Sequence, residues 1–82
     1  MENNLSLVKD KFKELPNNIE AEQAVIGSIL VTNEIFDEIN TIISSANFYD
    51  PMHQKIFNAI ESLIYKGLLA NPITLKNYFE DE

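Results

Sequence analysis

His53 is the only residue of a type that changes charge near neutral pH. A catalytic base needs a partner and a cleft, and a metal site needs several ligands. With no cysteine and no second histidine in the chain, His53 reads as a packed or helix-capping residue. The carboxylates Glu20/Glu22 and Glu34/Asp37/Glu38 are close enough in sequence to suggest acid–base pairs. Their places in first helical turns and on polar faces predict solvated charge that complements helix dipoles instead. No segment matches the calcium-loop pattern D-x-[DN]-x-[DN]-G. A phosphate cradle needs glycines that let backbone N–H groups approach an anion closely. Gly27 and Gly67 are the only glycines, and they are 40 residues apart, so no P-loop or Rossmann turn lies in this chain. Tyr49, Tyr65 and Tyr78 are amphipathic and suit either an interface or the edge of a core. The residues thus nominate no catalytic, nucleotide-binding or metal site, and no cofactor.

Charge narrows the partners. The 82 residues carry 13 acids and six bases, a net charge of -7, and every base is a lysine. Without arginine the planar fork that reads phosphate and guanine is missing. Nucleic-acid affinity requires clustered positive charge, which this composition lacks. No apolar run reaches 18 residues, and Met1-Glu2-Asn3-Asn4 lacks the order of a signal peptide, so the expected compartment is the cytoplasm. The length fits one small domain with a thin core.

The elements that would position these residues are helical. Leu5, Val8, Phe12 and Leu15 form a narrow stripe at spacings of three and four, either a short helix or a tail over residues 1–15. Residues 16–82 read as the folded part. Asn18 is a candidate N-cap for a helix over 19–31 bearing Ala21, Val25, Ile26, Ile29 and Leu30. Gly27 inside it predicts close approach of another helix. Thr32-Asn33 ends this helix and caps the next, over 34–43, with Ile35, Phe36, Ile39, Ile42 and Ile43 on one face. Residues 44–47 connect, and Phe48-Tyr49 anchors the connector. Asp50-Pro51 opens a helix over 51–66, because proline forces its predecessor out of the helical region and needs no N–H at the first position. Ile56, Phe57, Ile60, Leu63 and Ile64 form its apolar face, and Gly67 suits the left-handed position after its end. Asn71-Pro72 repeats the start signal for a helix over 72–82 with Ile73, Leu75, Tyr78 and Phe79. No stretch alternates with period two, so the expected class is all-α, a small orthogonal helical bundle. Phe36, Phe57, Ile26 and Ile60 are expected among the most buried residues. Glu80-Asp81-Glu82 places acids where the dipole favours cations, which reads as a cut through a helix.

Three blocks resemble a known family. Leu15-Pro16 followed by Ile19-Glu20-Ala21-Glu22-Gln23-Ala24-Val25-Ile26-Gly27-Ser28 resembles the opening of the N-terminal domain of the bacterial replicative DNA helicase, the DnaB family. Asn47-Phe48-Tyr49, Pro51, His53, Ile56-Phe57, Ile60, Leu63 and Gly67 are similar to its D-F-Y, H-x-x-I-F and glycine positions. Asn71 stands before Pro72-Ile73-Thr74-Leu75 where the family commonly has Asp. Asn caps a helix as well as Asp, so this departure touches only a charge contact.

The resemblance implies a globular head from which a helical hairpin, a linker and a RecA-like ATPase domain are absent. It implies a parent that unwinds DNA at the replication fork as a hexameric ring, with ATP and magnesium bound in the absent part. The head would then form a collar that supports ring assembly and docks primase, with a helicase loader as a further partner. Because the family's N-terminal domains pair through the hairpin, this chain is expected to be mostly monomeric, and to gain stability when extended through it. A free-standing acidic helical adaptor with no helicase attached is the alternative.

Overall fold

Local capping explains where the helices begin. The computed structural model describes residues 18–81, so the stripe expected over residues 1–15 lies outside the described residues. Helix α1 spans Ile19–Val31, and the Asn18 carboxamide oxygen accepts from the Ala21 N–H at 2.9 Å. Helix α3 spans Pro51–Tyr65, with Asp50 accepting from the Met52 N–H at 2.8 Å. Helix α4 spans Pro72–Glu80, with Asn71 accepting from the Ile73 and Thr74 N–H groups, each at 2.9 Å. At each start a short polar side chain satisfies N–H groups that the helix leaves unpaired. The end of α3 is equally local. Gly67 has φ +78°, its N–H donates to Ile64 C=O, and the Leu68 N–H donates to Leu63 C=O. This is the six-to-one, five-to-two pattern of a Schellman motif.

The second helix departs from expectation. In place of one helix over 34–43, a 3₁₀ turn at Asn33–Ile35 leads into a short helix α2, Phe36–Asn40. Asn33 does not cap it: its side-chain N–H donates to Ile29 C=O at 2.8 Å and to Ala70 C=O at 2.9 Å. Its side-chain oxygen accepts from the Ala70 N–H at 2.8 Å. At the other end Thr41 turns its hydroxyl onto Glu38 C=O at 2.7 Å, and the chain tightens. Ile43 stays buried, but Ile42 is left exposed rather than on the apolar face. The connector contains a second 3₁₀ turn, Ser45–Asn47, in which Asn47 accepts from the Ser44 N–H.

All four described helices contribute to one core, and no strand occurs among the described residues. Val25 and Ile29 of α1, Phe36 and Ile39 of α2, and Phe57, Ala59 and Ile60 of α3 are essentially inaccessible. Ile26 is also buried, and Leu75 carries α4 onto this core. Phe57 lies between two other rings, 5.4 Å from Phe36 and 5.1 Å from Phe48. Phe48 therefore anchors the connector as expected, whereas Tyr49 points outward. In α4 the expected apolar face is only partly used: Leu75 is buried and Tyr78 packs against the core, but Ile73 and Phe79 are exposed.

Gly27 also departs from expectation. It is exposed, and a Cβ placed there meets nothing within 4 Å among the described residues, so no described helix approaches it closely. The residue is simply a weak helix former on a solvent face. Gly27→Ala is therefore expected to stabilise the fold by about 0.5–1 kcal/mol. A rise in the urea midpoint checks this, and a fall would contradict the open surface.

Candidate functional site

The two residues with most chemical potential meet in the interior. Glu22 lies three, four and seven residues before Val25, Ile26 and Ile29, on the buried stripe of α1. His53 stands in the same relation to Ile56, Phe57 and Ile60 of α3. Packing α1 against α3 brings them together, with Glu22 Oε1 2.8 Å from His53 Nδ1. The same carboxylate accepts from the Tyr49 N–H at 2.6 Å and the Asp50 N–H at 3.2 Å. These N–H groups are available because Asp50-Pro51 starts a helix, where the preceding backbone has no ladder partner. A carboxylate can only accept, which assigns the proton of the 2.8 Å contact to His53 Nδ1. The ring of Phe48 stands edge-on to His53 at 6.3 Å, and Gln54 donates to Phe48 C=O at 2.7 Å, closing the corner.

This arrangement fastens the 48–51 corner to α1. Glu22 is 1% exposed and His53 8% exposed, so the pair is largely withdrawn from solvent. No buried side-chain nitrogen or oxygen among the described residues lacks a hydrogen-bond partner. His53 is the packed histidine expected from its isolation in the sequence. Glu22 corrects the expectation of a solvated charge, whereas Glu20, Glu34, Asp37 and Glu38 are exposed as expected. The signal for Glu22 was its register with Val25, Ile26 and Ile29, since a charge on an apolar stripe requires a buried partner. No group of three or more His, Asp or Glu residues among those described is placed to hold a metal ion.

The features left for function are on the surface. Tyr65, Leu68, Leu69 and Ile73 are each more than half exposed, around the α3–α4 turn. Beside that turn lies a shallow groove of about 270 Å³, lined by Asn33, Glu34, Asp37, Ile64, Gly67, Leu68 and Leu69. A second depression is lined by Lys55, Asn58, Tyr78 and Phe79. Of the three tyrosines considered as interface anchors, Tyr49 and Tyr65 are exposed and Tyr78 is half-buried. No described helix is long and apolar enough to cross a membrane.

Comparison with known proteins agrees with this architecture. Residues 14–82 match the family described as the DnaB-like helicase N terminal domain. A replicative DNA helicase DnaB from Rickettsia felis is 48% identical over 63 residues, covering 77% of this chain and 13% of that protein. The Rickettsia bellii protein of the same name is 43% identical over 68 residues, 83% of this chain and 14% of the relative. One from Buchnera aphidicola subsp. Baizongia pistaciae is 38% identical over 79 residues, 96% of this chain and 17% of the relative. The chain thus spans less than a fifth of the length of these curated relatives. No solved structure gives a significant match. With residues 14–82 matching this family and relatives 38–48% identical named replicative DNA helicases, the chain belongs to the DnaB-like helicase N terminal domain family.

Proposed function

We propose that this chain is the collar-forming head of a replicative, ATP-dependent DNA helicase acting at the replication fork in the cytoplasm. In this reading it supports assembly of a hexameric ring, docks primase, offers a surface to a helicase loader and catalyses nothing itself. The observation that carries the reading is the match of residues 14–82 to the helicase N-terminal family, joined to relatives named replicative DNA helicases. Two physical features favour a docking role over a catalytic one. The only histidine is engaged by Glu22 in the interior. The two glycines are far apart in sequence, Gly27 on the open face of a helix and Gly67 in a helix-ending turn, and cannot together build a phosphate cradle. ATP and magnesium belong, in this proposal, to the remainder of the longer protein.

Charge separates protein docking from DNA binding. At -7, with no arginine, repulsion from phosphates outweighs isolated lysine contacts, most strongly at low salt where screening is weak. Titration at about 50 mM salt is expected to show no saturable binding of single-stranded DNA and saturable binding of the primase C-terminal domain. Micromolar DNA binding would overturn the collar reading.

A further inference from the structure

We infer that the groove between the start of α2 and the α3–α4 turn is a docking site for a basic amphipathic helix of a partner protein. This deepens the docking reading above by assigning it a surface and a chemistry. The leucines of the groove are exposed because the backbone holds them there. Gly67 reverses the chain at φ +78°, and the Leu68 N–H is tied to Leu63 C=O at 2.9 Å. Asn33 grips both the N–H and the C=O of Ala70, so residues 67–70 are pinned from either side. Leu68 and Leu69 are left 53% and 68% exposed on a braced turn. A surface held in its binding geometry loses little conformational freedom when a partner arrives, which favours affinity.

Size and charge state what fits. The volume, about 270 Å³, exceeds the roughly 150 Å³ of an apolar cavity that accepts benzene, so one large aliphatic or aromatic side chain can be seated. Ile64, Leu68 and Leu69 supply the apolar lining. Among the described residues the ionisable groups of the lining are both acids, Glu34 and Asp37, exposed and three residues apart near the start of α2. Lys66 is nearby in sequence but does not line the groove. An apolar floor beneath an acidic rim selects an apolar anchor flanked by lysine or arginine.

A second copy fits less well: it brings a net charge of -7 and the same acidic rim, which disfavours self-docking.

The test uses the 82-residue chain, labelled with ¹⁵N, and two synthetic amphipathic peptides with identical leucine spacing. One is flanked by lysines and the other by glutamates. The lysine peptide is expected to move the amide signals of residues 33–37 and 64–69, and to bind at least about tenfold more tightly than the glutamate peptide. Leu69→Asp, at an exposed position, should abolish binding with an unchanged circular dichroism spectrum. Glu34→Lys with Asp37→Lys should invert the peptide preference. Equal affinities, or shifts confined to other residues, overturn the assignment. So does about a tenfold gain in affinity on deleting residues 1–15, which would identify that segment as the occupant. A dimer in sedimentation that Leu69→Asp dissolves would likewise replace the partner by a second copy. Primase binding that leaves residues 33–37 and 64–69 unmoved rejects the groove and keeps the docking role. Peptide binding without primase binding rejects primase and keeps the groove.

Discussion

Glu22→Ala is expected to destabilise the fold by about 3–5 kcal/mol, the range for removing one partner of a buried pair. Three donors lose their acceptor together: the Tyr49 and Asp50 N–H groups and His53 Nδ1. Each buried donor left unpaired costs about 1–3 kcal/mol, reduced where water can enter. The corner at residues 48–51 should loosen first, because the carboxylate is what joins it to α1. The conservative Glu22→Gln separates charge from shape. Its amide oxygen can still accept from Tyr49, and its NH₂ can donate to His53 if the imidazole proton moves to Nε2. Only the Asp50 N–H then stays unpaired, so the expected loss is about 1–3 kcal/mol. Urea unfolding of the three proteins checks the order, with hydrogen exchange at Tyr49 and Asp50 as the local readout. A Glu22→Ala protein as stable as the parent would show that the clasp contributes nothing.

Phe57→Ala is expected to cost about 3–5 kcal/mol through lost apolar contact and the cavity left behind. The ring is 1% exposed and touches both Phe36 and Phe48, so its loss opens a void between α2, α3 and the connector. Each aromatic pair adds about 0.5–1.5 kcal/mol beyond area burial. A small domain holds about 5–15 kcal/mol in total, so this one change removes a large part of it. Phe79→Ala is the control: that ring is 37% exposed and pairs only with Tyr78 among the rings described. Its expected cost is under about 1 kcal/mol. Equal losses at Phe57 and Phe79 would refute the placement of the core.

Much of the fold was legible because its signals are local. Asn18, Asp50-Pro51 and Asn71-Pro72 each act on N–H groups within three residues. The starts of α1, α3 and α4 followed from sequence, and the left-handed Gly67 marked the end of α3. Phe36, Phe57, Ile26 and Ile60 were placed in the core by helical spacing, and all four are buried. The three sequence blocks pointed to the family that residues 14–82 match.

Tertiary structure decided what depends on residues far apart in the chain. Asn33 is a capping residue by type, but Ala70, 37 positions later, captures its side chain, and α2 begins as a 3₁₀ turn instead. Glu22 and Glu20 are alike in sequence, yet only Glu22 meets the N–H groups at residues 49 and 50 and the imidazole 31 positions away. Gly27 could have admitted a neighbouring helix, and no described helix packs there. In each case the local options were nearly equal in free energy, so long-range contacts selected among them: a side chain's intrinsic preference of about 1 kcal/mol yields to a buried hydrogen bond or charge pair of larger effect.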